Sequence, residues 1–198
     1  QFDYETICDV VLHINYTSRQ GGAALRDVAV NNLTQMLQDE AKKPQARLFS
    51  LRHEFSSEWY QLQSVAAANG DHSQAFSLAK HLFPSMFRDS TVTINAIELF
   101  GIPKNLESVS KPVLAVTLTN PDGAKVELKN ADEAKFGQLV RMSKDADVGI
   151  EVKHVDEKNK KDADWTLKVN QADVSKCLEK LDDILVLCHY SVVMPKKP

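Results

Sequence analysis

Residues 184–193 run Ile184, Leu185, Val186, Leu187, Cys188, His189, Tyr190, Ser191, Val192 and Val193, apolar at both odd and even positions. Successive side chains of a strand point to opposite faces, so a strand apolar on both parities has to be covered on both sides. The segment predicts a central strand in a layered fold and obliges the rest of the chain to supply its neighbours. Candidates are legible. Val10, Leu12, Ile14 and Tyr16 alternate with Val11, His13, Asn15 and Thr17, and Val148, Ile150 and Val152 alternate with Gly149, Glu151 and Lys153. Trp165, Leu167 and Val169 repeat the two-residue period. Residues 91–100 are rich in β-branched side chains, and residues 48–53 and 113–119 read as further strands. Asn120, Pro121, Asp122 and Gly123 then signal a turn from which residues 125–128 return as the second arm of a hairpin.

Helical spacing is rarer. Leu25, Val28, Ala29, Leu33, Met36 and Leu37 make residues 23–42 an amphipathic helix, preceded by turn residues and stopped by Pro44. A Ser near position 56 can cap a short helix that buries Trp59, and residues 172–181 can form another. Residues 66–74 read as a loop, and the apolar group Phe76, Leu78, Leu82, Phe83, Met86 and Phe87 as core. The mixed-charge run at residues 156–164 would be costly to bury and is expected to be an exposed loop. The expected fold class is mainly β, a jelly-roll-like β-sandwich with one prominent amphipathic helix and short helices, with α+β as the fallback. The expected organisation is one β-rich domain over 1–198, a piece of a larger chain, with a division into 1–105 and 106–198 as the alternative.

Two segments at opposite ends share one pattern. Asp9 opens the first and Asp183 the second; Tyr16 and Tyr190 follow seven residues later, with Thr17 and Ser191 next. A short carboxylate can accept local backbone N–H groups at a strand's start, while Tyr carries a large apolar ring with a polar tip. Both segments are therefore expected to be matching central strands.

The opening stretch, Phe2, Asp3, Tyr4, Glu5, Thr6, Ile7, Cys8, Asp9, Val10, Val11, Leu12, His13, Ile14, Asn15, Tyr16, Thr17, Ser18, Arg19, Gln20, Gly21 and Gly22, resembles a segment near the C-terminus of bacterial Tc toxin A components and large related proteins. It departs from that family at Cys8 and Asn15, where Ser and usually Arg are found. The resemblance covers about 20 of the 198 residues. It implies a parent that is a pentameric, channel-forming, secreted toxin component, docking its B component through its C-terminal region. No individual binding residue carries over, because the matched positions read as strand core.

Composition narrows the partners. Lys and Arg total 24 against 27 Asp and Glu, a formal charge of −3, which argues against a nucleic-acid ligand. The longest strongly apolar run, residues 184–188, falls far short of the roughly 20 residues a bilayer crossing needs. No secretory signal is visible. Cys8, Cys177 and Cys188 are odd in number and lack CxxC spacing, so buried free thiols are expected, with a Cys8–Cys188 bridge left open.

His13, His53, His72, His81, His154 and His189 include no pair four residues apart, so the helical scaffold of a zinc protease is missing. His13 and His189 occupy the matching segments and could respond to acid. No nucleophile elbow, phosphate loop or dinucleotide fingerprint occurs. Asp122, Asp132 and Glu133 could offer oxygens to calcium but lack the spacing of a known loop. Trp59, Tyr60 and Trp165 are the aromatic platforms a glycan would need, though each fits a core equally well. The expectation is a non-enzymatic docking or structural module without cofactor or metal. Its partner would be the B component of a Tc-like assembly or a homo-oligomer of the parent chain. The alternative is a receptor- or carbohydrate-binding β-sandwich.

Overall fold

The computed structural model describes residues 13–19, 21–64, 70–105, 115–129, 140–142, 148–155, 158–174 and 178–195. The chain divides into two compact units, 1–36 and 37–198. In the first, residues 13–19 belong to no strand or helix and are exposed. They lead to helix α1 (Gly22–Ala41), which crosses the division and has no buried residue.

The second unit is mainly β. Its strands are β1 (Gln45–Ser50), β2 (His72–Ser77), β3 (Thr91–Pro103), β4 (Ala115–Thr119), β5 (Lys125–Lys129), β6 (Val140–Met142), β7 (Ile150–Val152), β8 (Asp164–Val169) and β9 (Leu181–Val193). One sheet runs β1-β9-β3-β6, with β7 also paired to β3; the other runs β2-β8-β4-β5, and every pairing is antiparallel. Taking β6 and β7 as one interrupted strand alongside β3, this is the strand order of a jelly roll, two interlocked Greek keys. Both sheets combine strands from before and after residue 105, so the division at that position does not separate two domains.

The inner faces share one core. Ile184, Val186, Cys188, Tyr190 and Val192 of β9 and Val92, Ile94, Ile97 and Leu99 of β3 join Val116, Leu118, Leu128, Trp165, Leu167 and Val169 of the second sheet. Each fully buried aliphatic or aromatic side chain contributes about 1.5–3 kcal/mol relative to exposure. As expected of a strand apolar on both parities, β9 is central, with β1 on one edge and β3 on the other. In β3 the register shifts between Ile94 and Ala96, so Asn95 is an extra residue, and the inward parity changes from 92 and 94 to 97 and 99.

Aromatic rings tie the layers together. Tyr190 meets Phe83 edge-on at 5.1 Å between centroids, Phe83 meets Phe49 at 5.8 Å, Phe49 meets Phe55 at 6.2 Å, and Phe55 meets Phe76 of β2 at 5.5 Å. Phe76, Leu78, Phe83 and Phe87 are core as the sequence implies, whereas Met86 is exposed.

Local signals shape the connections. Gly123 N–H donates to the Asn120 carbonyl at 2.9 Å with Gly123 at φ +85°, closing the expected hairpin between β4 and β5. The strand expected over 48–53 begins earlier, in β1, and gives way to helix α2 (Leu51–Glu54). The cause is Ser50, whose Oγ accepts the His53 N–H at 3.0 Å and caps the helix. Helix α3 (Ser56–Ser64) buries Trp59. The loop expected over 66–74 is shortened, because His72, Ser73 and Gln74 pair with Val169, Lys168 and Leu167 in β8. Helix α4 (Gln171–Val174) and a 3₁₀ turn at Leu178–Lys180 replace the single helix expected over 172–181.

Candidate functional site

The clearest departure from sequence expectation lies in the first unit. A strand was expected over residues 10–17; its first three residues lie outside the described set, and the others are not strand. Ile14 is 69% exposed and Tyr16 81% exposed. A strand needs a neighbour's backbone to complete its hydrogen bonds. Among the described residues both edges of β9 are already taken by β1 and β3, so the two echoing segments are not matching central strands. The same unit carries exposed Leu25, Val28, Leu33 and Met36 on α1, an apolar stripe at helical spacing.

The second copy of the echo does what its residue types imply. The Asp183 carboxylate, almost fully buried, accepts from Ser50 Oγ at 2.6 Å, from Arg52 N–H at 2.9 Å and from Ile184 N–H at 2.7 Å. It satisfies donors at the start of α2 and of the inward run of β9. Tyr190 buries its ring; burial pushes its phenol above the ordinary value, and the Arg47 charge partly offsets this.

The histidines fall into unlike surroundings. His13, His53, His81 and His154 are exposed. His189, half-buried on the outer side of β9, places Nε2 2.9 Å from Glu98 Oε1, while Arg141 Nε and Nη2 donate to Glu98 Oε2 at 2.8 and 2.6 Å. His72 is buried, with Nδ1 2.6 Å from the Leu62 carbonyl oxygen. A carbonyl only accepts, so Nδ1 carries the hydrogen in the neutral ring and Nε2 offers a lone pair. Among the described residues, no group of three His, Cys, Asp or Glu could hold a metal ion.

His72 opens onto a cavity of about 190 Å³ lined also by Gln63, Lys104, Val174, Leu178 and Glu179. Three connections assemble it. Gly70, at φ +80°, turns the chain into β2, a conformation that favours glycine, with the Gln171 side chain lying where a Cβ would point. Asp71 accepts the Gln171 N–H at 3.0 Å and pairs with Lys168 at 2.6 Å, holding α4 beside β2. The Lys104 N–H donates to the Lys180 carbonyl at 2.8 Å, tying the end of β3 to the turn that carries Glu179. Sequence reasoning missed this site, since its members lie far apart along the chain. The one available signal was Gly70 followed by an ionisable pair, Asp71 and His72. A second cavity, about 110 Å³ and mostly apolar, lies between the sheets beside Ile97, Leu118, Val126, Leu128 and Trp165.

The remaining candidates separate. Trp59 and Trp165 are buried, leaving no ring face for a sugar, and Tyr60 is exposed. Asp122 sits in the exposed hairpin turn, while Asp132 and Glu133 lie outside the described residues. Cys188 is a free, buried thiol whose pKa is pushed up to about 12 by burial; Cys8 and Cys177 lie outside the described residues. No helix among the described residues is long and apolar enough to cross a membrane. No family model matches this sequence, and a search of curated proteins finds no match to it.

Proposed function

We propose that this chain is a docking and structural module of a Tc-like toxin assembly, secreted as part of a larger protein and acting by contact rather than by catalysis. One observation carries the reading: large apolar side chains at Ile14, Tyr16, Leu25, Val28, Leu33 and Met36 are exposed together in one short unit. Leaving that much apolar surface in water is costly, and a partner that covers it recovers about 25 cal/mol per Å². Residues 13–19, in no strand or helix and exposed, are free to add to a partner's sheet edge, with α1 adding a helical stripe. The second unit supports the reading as a scaffold, for Asp183 and Glu98 are occupied by structural hydrogen bonds.

The partner proposed is the B component that the opening residues imply by resemblance. Calorimetry and co-elution of the intact chain with a B component test this. Saturable binding that weakens at least tenfold in the double variant Leu25→Gln, Leu33→Gln supports it, and absence of binding by the folded chain overturns it.

A further inference from the structure

We infer that the cavity around His72 is a binding site for one uncharged, polyhydroxylated ring, a single sugar unit of a glycan. His72 is more than nine-tenths buried, and its Nδ1 is committed to the Leu62 carbonyl. Among the described residues Nε2 has no hydrogen-bond partner, and the ring forms part of the cavity wall. Nε2 is not sealed from solvent, so it offers the cavity an acceptor that water fills and that a ligand hydroxyl displacing this water can fill in its place. The ligand therefore carries a hydroxyl or an equivalent donor.

The rim selects the rest. Lys104 supplies donors, Glu179 supplies acceptors, and the Gln63 amide can do both. An anion would face Glu179 and a cation would face Lys104, so opposed charges at one mouth favour a neutral ligand with many hydroxyl groups. Val174 and Leu178 add aliphatic wall against which the C–H face of a sugar ring packs. Among the described residues a divalent metal would find only His72 and Glu179 as ligands, too few for a closed site. At about 190 Å³ the cavity admits a single ring and little more.

The site owes nothing to residues 13–36, so it stands or falls separately from the docking proposal. The test uses the full chain with methyl glycosides of the common hexoses and N-acetylhexosamines, read by saturation-transfer NMR and calorimetry, with zinc chloride as a second probe. Expected is saturable binding of at least one glycoside that shifts the His72 ring ¹⁵N signals. His72→Asn keeps an amide N–H for the Leu62 carbonyl but has no acceptor at the Nε2 position, and is expected to weaken binding at least tenfold. Glu179→Ala and Lys104→Ala, both at exposed positions, are each expected to weaken it about fivefold and to leave any binding of the B component unchanged. Should His72→Asn fail to fold, the two rim variants decide. Failure of every glycoside to bind, binding unaltered by the folded variants, or binding of zinc alone would overturn the inference.

Discussion

Asp183 is one short side chain serving three donors from two segments more than a hundred residues apart. Replacing it with Ala strands the Ile184 N–H in a buried place and Ser50 Oγ and the Arg52 N–H in a partly buried one. Leaving such donors unpaired costs about 2–4 kcal/mol in all. Urea unfolding of Asp183→Ala should show that loss as a lower midpoint at unchanged slope. Cys188 makes a second prediction. Below the ordinary thiol value of 9.0 it is protonated in both folded and unfolded chains. Between 9.0 and about 12 the unfolded chain ionises while the buried thiol does not, which favours unfolding. Stability is thus complete below pH 9 and falls as pH rises towards 12; Tyr190, shifted upward too, steepens the same limb. Cys188→Ala should flatten that fall, as measured by thermal unfolding from pH 8 to 11. The wild-type thiol should resist a disulfide reagent at pH 8 until the chain unfolds.

At the scale of elements, β3 shows how one residue sets a whole strand. Val92 and Ile94 face the core on one parity, Ile97 and Leu99 on the other, and the extra Asn95 reconciles them. Its carbonyl also accepts the Val148 N–H at 2.7 Å. Deleting Asn95 would place Val92, Ile94, Ile97 and Leu99 on one parity of a regular strand and keep all four facing the core, at the loss of the bulge and of its bond from Val148. The deletion should therefore keep a cooperative transition in calorimetry, while Asn95→Ala should cost less than about 1 kcal/mol. Helix α1 behaves oppositely. With none of its residues buried, Leu33→Gln should change unfolding free energy by no more than about 0.5 kcal/mol while weakening the proposed partner contact. A loss of several kcal/mol in the free chain would mean that the stripe is internal packing and would remove the argument for docking.

For the molecule as a whole, every buried member of the hydrophobic core among the described residues lies between Phe49 and Val192. A chain beginning at Leu37 should therefore retain the cooperative thermal transition, with its midpoint within about 4 °C of the full chain. The jelly roll was legible because several segments carried period-two patterning and one was apolar on both parities. The hairpin turn at residues 120–123 was legible from its residue types alone. The site at His72 was not, since its wall is assembled from α3, β2, the end of β3 and the α4 region. Residue type told nothing of that meeting: His72 read as an isolated histidine, and only the Leu62 carbonyl fixes which of its nitrogens is free.

What the sequence determined by itself is the set of information held within a few residues: strand parity, the α1 stripe, the Asn120 turn and the central place of β9, whose inward residues are buried while the outward ones stay half-buried or exposed. Each follows from backbone geometry acting over one or two turns of chain. Only the tertiary structure decided which strands lie beside β9. Residues 10–17 have the pattern to do so, yet β1 and β3 hold those edges, because edge pairing is a competition among distant backbones and alternation cannot rank the contenders. The same physics decided which polar groups found partners, leaving Asp183 fully satisfied and His72 with one nitrogen open.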